Sequence, residues 1–319
     1  EFRRYLKANI DKNGDGHLND TELNIRKLDV SGQHIANLKG IEFFPNLEKL
    51  YCYNNKLTSL DVSKNIALQE LSCSSNDLTS LDVSKNTALK KLDCDLDNLT
   101  SLDVSKNTEL VSLSCANNAL TSLDVSKNTK LENLYCSENQ LTSLDVSKNA
   151  ALKYMSCRKN QLTNLNLENT NINSSVPASG IEMYDNTYTI AVESNRTFNL
   201  STLPGTFDVT KATNWNGGTV NGKTLKVDEG VDKVTYTYDC GKGRSETFTL
   251  NVKVVPDGTV TPPTPGGDTP GGGGDGGGAV VIVAAAGAVA AGVVGYGVYN
   301  YVSGRKLQAL LPEGVAAPE

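Results

Sequence analysis

Apolar residues in the first half of the chain recur with a period of 21. One unit reads L-x-x-L-x-C-x-x-N-x-L-T-S-L-D-V-S-K-N-x-x, filled in one copy by Leu68, Leu71, Cys73, Asn76, Leu78, Leu81 and Val83. Cys52, Cys73, Cys94, Cys115, Cys136 and Cys157 mark successive copies, and TSLDVSKN starts at Thr58, Thr79, Thr100, Thr121 and Thr142. The L-x-C stretch alternates, which predicts a short strand with leucine and cysteine pointing inward. A unit of this size cannot bury its own leucines. Stacked neighbours bury them together, so stability propagates along an array.

These near-identical copies resemble the leucine-rich repeat, with cysteine where many members carry a third leucine. The resemblance covers about residues 25–173. It implies a solenoid whose strand face is concave and is the usual ligand surface. Asn55, Asn76, Asn118, Asn139 and Asn160 are expected to turn inward and bond backbone groups at the bend. Asp97 breaks that series, so its coil is either looser or held by backbone N–H groups donating to the carboxylate. Asn65, Asn86, Asn107, Asn128 and Asn149 are assigned to the opposite turn. The six repeat cysteines hold inward slots suited to small apolar thiols. Their side chains run parallel rather than converge, which argues against disulfides. No C-x-x-C pair exists, which argues against zinc. Cys240 is expected to be buried in another domain.

The copies differ from one another on the outward strand positions. One before each cysteine stand Tyr51, Ser72, Asp93, Ser114, Tyr135 and Ser156. One after stand Tyr53, Ser74, Asp95, Ala116, Ser137 and Arg158; three before stand Lys49, Glu70, Lys91, Ser112, Asn133 and Tyr154. These columns alternate out of the core. Tyrosine joins a large contact area to a polar tip, a frequent choice at interfaces. The expected ligand face therefore carries Lys49, Tyr51, Tyr53, Glu70, Lys91, Asp93, Asp95, Tyr135, Tyr154 and Arg158. Drift on a solvated sheet would also place tyrosine there, through its strand propensity. No column supplies a catalytic dyad.

Residues 11–22 read DKNGDGHLNDTE, matching the calcium-loop pattern D-x-[DN]-x-[DN]-G-x5-E. Asp11, Asn13, Asp15, Asn19 and Glu22 fall on side-chain ligand positions. His17 would ligate through its carbonyl, and Gly16 permits the sharp turn. Helices are expected over Phe2–Ile10 and Asp20–Lys27. A lone loop ahead of a solenoid suggests a structural ion, one Ca2+ pinning a cap over the first leucines (residues 1–27). The stretch Leu28–Leu50 looks like the first coil of internalin-like bacterial surface proteins, so the resemblance is to that group.

Past Asn173 the period disappears. Alternating strands are expected over Tyr188–Val192, Thr197–Leu200, Lys233–Tyr238 and Thr247–Val255, with turn signals between several of them. They predict an antiparallel, immunoglobulin-like β-sandwich over 176–255, serving as spacer or terminal cap, with Trp215 packing inside. Residues 256–278 are rich in Pro and Gly and read as a tether. Ala279–Val302 is uncharged and would span about 36 Å as a helix, enough for a bilayer. Arg305 and Lys306 follow, which places 303–319 in the cytoplasm and the repeats (28–175) outside. LPEGV (Leu311–Val315) departs from the sortase signal LPxTG and lies on the wrong side of the apolar segment. The chain opens without a methionine or export signal, so a mature form or fragment is expected.

Charge and composition narrow the function. A net charge of −6 argues against a general nucleic-acid binder. Two histidines, His17 and His34, leave little room for acid–base or triad chemistry, so no enzyme is expected. The expected fold is a leucine-rich repeat solenoid of short strands with a helical cap, a β-sandwich and one transmembrane helix. The expected role is adhesion at a bacterial surface, to a protein or glycan on a host or neighbouring cell. An envelope spacer without a specific ligand is the alternative.

Overall fold

Each 21-residue unit closes into one coil that contributes one three-residue strand. A computed structural model describes residues 1–172 and 180–260, and, of the remainder, the backbone of residues 301–302 and 305–306. The chain divides into two units, Glu1–Gly258 and Thr259–Glu319. In the first unit, strands β1 (Lys27–Asp29), β2 (Lys49–Tyr51), β3 (Glu70–Ser72), β4 (Lys91–Asp93), β5 (Ser112–Ser114), β6 (Asn133–Tyr135), β7 (Tyr154–Ser156) and β8 (Ile181–Glu182) stand in chain order in one parallel sheet. Register is fixed by the buried central residue: Leu50 pairs Leu71, then Leu92, Leu113, Leu134, Met155 and Ile181.

The core is one continuous cluster of leucine, valine and cysteine columns. All six repeat cysteines are fully buried free thiols, and burial raises each well above the ordinary thiol range. They pack as small apolar groups, as their inward slot requires.

Two asparagine ladders satisfy the backbone at the bends. Asn76 donates through Nδ2 to the carbonyls of Cys52 (3.1 Å) and Cys73 (2.7 Å) and accepts from the Leu57 N–H (3.0 Å). Asn118, Asn139 and Asn160 repeat the pattern one coil apart. The residue before each ladder position adopts a left-handed conformation, for example Asn54, Ser75 and Asn117 with φ of 54°, 56° and 54°. On the opposite turn, Asn86 donates to the carbonyls of Val62 (3.0 Å) and Asn65 (2.9 Å), and Asn107, Asn128 and Asn149 follow suit.

The cap differs in detail from its expected form. Helix α1 spans Phe2–Asn9 and buries Phe2 against the solenoid. Helix α2 is a single turn, Asp20–Leu23, rather than a helix to Lys27, because Lys27 already begins β1.

Beyond β8 the chain forms a second module. One sheet has the order β10 (Thr197–Asn199), β13 (Thr224–Val227), β12 (Gly218–Asn221). The other has the order β11 (Ala212–Asn216), β14 (Lys233–Gly241), β15 (Arg244–Val254), β9 (Thr187–Val192). The expected all-antiparallel pairing is corrected here: β9 runs parallel to β15 at the sheet edge. Alternation along a strand reports burial and not the direction of its neighbour. Trp215 stacks on Tyr236 with ring centroids 4.5 Å apart, as its packing role demands.

The module is docked on the last coils rather than tethered to them. The Leu167 N–H donates to the Cys240 carbonyl (2.8 Å), and the Tyr236 hydroxyl donates to the Thr163 carbonyl. Gly241, at φ 82°, lies so close to Glu168 that an added Cβ would clash with its carboxylate. This end of the leucine column is thus covered by the second module.

The membrane span expected over Ala279–Val302 lies outside the described residues except for its last two. Tyr301–Val302 (β16) pairs antiparallel with Arg305–Lys306 (β17), so the expected helix does not reach Val302. Among the described residues no helix is long and apolar enough to cross a membrane. Most of the expected tether and tail, with the LPEGV stretch, also lies outside the described residues.

Candidate functional site

The open face of the eight-stranded sheet presents the residues that vary between coils. Strands β2 to β6 bury the central residue and turn both flanks outward, and β7 exposes Tyr154 while Ser156 is buried, so the three columns read from the sequence share this face. The structure sorts them into three groups.

At the N-terminal end, Glu70 binds two neighbours. Its Oε1 lies 2.9 Å from Lys49 Nζ, and its Oε2 accepts from the Tyr51 hydroxyl at 2.7 Å. That hydrogen bond is the main reason the Tyr51 phenol is pushed up to about 12, and it holds the Glu70 carboxyl below the usual range. The Lys27 ammonium sits over the Tyr51 ring, 5.1 Å from its centroid. Tyr51 is therefore committed within the protein, while Tyr53 stands 44% exposed.

At mid-array, two aspartates are tied down by serines. Asp93 Oδ2 accepts from the hydroxyls of Ser72 (2.8 Å) and Ser74 (3.2 Å). Asp95 accepts from the Ser114 hydroxyl (2.7 Å) and the Ala116 N–H (2.6 Å). Burial pushes the Asp95 carboxyl up to about 6, with the Ser114 bond opposing it and the Asp93 charge adding to it. Asp93 is thus satisfied by the preceding coil and Asp95 by the following one. Lys91 is exposed beside them.

At the C-terminal end a hollow of about 240 Å3 opens on the same face. Asp95, Ser114, Tyr135, Ser137, Ser156, Arg158 and Glu182 line it. Arg158 bridges Glu138 (3.1 Å) and Glu182 (3.3 Å) and lies 5.8 Å from the centre of the Tyr184 ring. Ser156 donates to Glu182 at 2.8 Å. Tyr135, Tyr154 and Tyr184 stand exposed on this end of the chain's open face, at 38%, 41% and 43%.

Glu182 and Tyr184 were missed by the sequence columns because the period breaks before them. The signal was present: Ile181-Glu182-Met183-Tyr184-Asp185-Asn186 fits L-x-C-x-x-N with methionine in the cysteine slot. Asn186 occupies the ladder position, donating to the Cys157 and Met183 carbonyls. A larger cleft of about 480 Å3 lies away from this face, between Ser143–Ser147 and Gly205–Lys211. Its walls offer short polar groups and no exposed aromatic anchor, since Tyr238 there is 3% exposed.

The N-terminal loop is compact. Asp11 accepts from the N–H groups of Gly14 (2.7 Å) and Gly16 (2.9 Å), and Asn13 Oδ1 from that of Asp15 (3.1 Å). Asp15 accepts from the His17 N–H (2.8 Å), which is the main cause of its lowered carboxyl pKa. Glu22 accepts from the N–H groups of Lys12 (2.6 Å) and Asn19 (3.0 Å), completing a capping box with Asn19. Among the described residues no three acidic, histidine or cysteine side chains are gathered into a metal cluster. The Glu22 oxygens, expected on a cation, are turned onto backbone donors. The donor types present, carboxylate, amide and backbone oxygen, are those a hard cation takes.

No protein-family model matches the chain, and no curated protein does. Solved structures are similar in part. The functional domain of InlJ from Listeria monocytogenes, described as including a cysteine ladder, is 24% identical over 72% of this chain and 69% of its own, with a TM-score of 0.39. An internalin, InlF, from the same organism is 25% identical over 59% of this chain and 63% of its own, with a TM-score of 0.47. A leucine-rich repeat protein from Leptospira interrogans is 20% identical over 52% of this chain and 53% of its own, with a TM-score of 0.43. The present chain thus spans less than two thirds of the second and third of these. The repeat architecture itself rests on the eight stacked strands and their ladders.

Proposed function

We propose that this is a surface recognition protein that binds a protein or glycan partner through the open face of its sheet, without chemical turnover. The observation that carries the reading is the exposure of Tyr53, Tyr135, Tyr154 and Tyr184 on the face where the coils differ, while the return segments stay constant. Rigid aromatics held on a scaffold of stacked strands bind with little loss of side-chain freedom. Lys49, Tyr51 and Glu70 act as a preformed polar patch, and Asp93, Asp95, Lys91 and Arg158 set the charge pattern along the face. Display outside the cell through a membrane span within residues 279–300 belongs to this reading, as does a bacterial source.

Whole-cell and glycan-array binding tests it. The wild-type chain is expected to bind. Replacing Tyr53, Tyr135, Tyr154 and Tyr184 together by alanine is expected to weaken binding at least about ten-fold. Wild-type-level binding by a folded quadruple variant removes the open face from the account.

We also propose that the Asp11–Glu22 loop takes one structural Ca2+. Asp11, Asn13, Asp15, the His17 carbonyl and Glu22 would hold it, with Asn19 acting through water. Glu22 must then release the Lys12 and Asn19 N–H groups. An excess of chelator is expected to lower the melting temperature by several degrees, restored by Ca2+ but not by Mg2+. An unchanged melting temperature, with no heat on titrating Ca2+ into the metal-stripped chain, removes the ion.

A further inference from the structure

Seven coils place a ladder residue at the same bend, and only one of the seven is acidic. Asn55, Asn76, Asn118, Asn139, Asn160 and Asn186 each use the amide in two ways. Oδ1 accepts from a backbone N–H of the preceding coil, and Nδ2 donates to two carbonyls, as Asn118 does to Cys94 (2.8 Å) and Cys115 (3.2 Å). Asp97 reproduces the first half. Its Oδ1 accepts from the N–H groups of Asn76 (3.1 Å) and Leu78 (3.2 Å). It has no NH2 group for the second half. The carbonyls that the ladder geometry sets against Oδ2 are those of Cys73 and Cys94, both acceptors. Oδ2 is buried and, unlike the Nδ2 of its six counterparts, has no partner, while Asp97 as a whole is 6% exposed.

An ionised oxygen aimed at two carbonyl oxygens in a buried bend is repelled from both sides. A hydrogen on Oδ2 turns the same contact into a donated bond and restores half of what asparagine supplies. We propose that Asp97 is a proton-binding site in the middle of the array, its carboxyl kept protonated in the native coil and donating to the Cys73 or Cys94 carbonyl, so that the solenoid tightens in mild acid and loosens in alkali.

The surroundings agree. On its own coil Asp97 faces Asp93 and the neutral thiol of Cys94. On the preceding coils it faces Asp77 and the thiols of Cys73 and Cys52, and on the following coil the neutral amide of Asn118. No cation is among these groups, and both charged ones are acidic. Burial, with the Asp77 and Asp93 charges adding to it and the two N–H bonds opposing it, pushes the carboxyl from 3.8 up to about 7. The native state therefore binds a proton that the unfolded chain gives up. The stability it contributes is full below 3.8 and is lost as pH rises through about 7. Asp95, raised to about 6, adds a smaller slope of the same sign.

The test uses the whole chain. Carbon-13 NMR follows the Asp97 carboxyl through a pH titration of the wild type. Chemical unfolding compares wild type with Asp97→Asn, which installs the residue the other six coils carry. The Asp97 resonance is expected to titrate near pH ~7. Asp97→Asn is expected to raise the folded-to-unfolded ratio at least about a hundred-fold at pH ~8.5 and less than about ten-fold at pH ~3, where the unfolded chain is protonated as well. A carboxyl that titrates near pH ~4, or an asparagine variant no more stable than wild type at pH ~8.5, overturns the proposal. The titration needs no variant and decides the matter even if the asparagine chain folds poorly.

Discussion

Asn107→Asp is expected to destabilise the array by about 4–5 kcal/mol at neutral pH. Asn107 is fully buried, and its Nδ2 donates to the carbonyls of Val83 (3.0 Å) and Asn86 (2.9 Å). Its Oδ1 already lacks a partner. An aspartate there would have no N–H donor on either oxygen, unlike Asp97, which keeps two. The bend would have to hold a neutral acid, and holding a carboxyl protonated about three pH units above its ordinary value costs about 4 kcal/mol. Loss of one of the two donated bonds adds about 1 kcal/mol. The penalty should shrink towards that remainder as pH falls below about 4, since the unfolded chain is then protonated as well. Urea unfolding at two pH values measures it. A loss below about 1 kcal/mol at neutral pH would mean that this ladder does not hold the turn.

Leu113→Ala is expected to cost about 2–5 kcal/mol. Leu113 is fully buried in β5 and pairs with Leu92 on one side and Leu134 on the other. A cavity there weakens two coil interfaces at once, because a solenoid holds together through nearest neighbours. Leu28 in β1 has a strand neighbour on one side only, Leu50, and its truncation should cost less. Unfolding curves of the two variants decide the point. Equal losses would indicate that the chain responds as a single globule rather than as a stack.

Much of this architecture was legible because the repeat compares the chain with itself. The period placed each strand from β2 to β7, each core cysteine and both asparagine ladders. Contrast between the constant return segment and the variable strand flanks marked the open face. Legibility ended where the frame slipped: Ile181 follows Met155 by 26 residues instead of 21, and Met183 replaces the marker cysteine. The last strand, Glu182 and Tyr184 were hidden by that insertion. The parallel edge strand β9 was hidden for a different reason, since its pairing is set by the crossover from the solenoid and not by its own alternation. Tyr51 was correctly placed on the open face, yet its bond to Glu70 joins neighbouring coils and is not a property of either strand alone. In the N-terminal loop the spacing pointed to oxygen-bearing side chains suited to a hard cation. It did not reveal that Glu22 would close on the Lys12 and Asn19 N–H groups.

Hydroxyl-radical footprinting of the chain, free and bound to cells that retain it, tests the recognition face most directly, because it reads the accessibility of individual aromatic side chains. Tyr53, Tyr135, Tyr154 and Tyr184 are expected to become protected together. Phe43 and Ile66, each 63% exposed and outside the open-face columns, are expected to react as before. Protection of Phe43 and Ile66 with the four tyrosines unchanged would contradict the account.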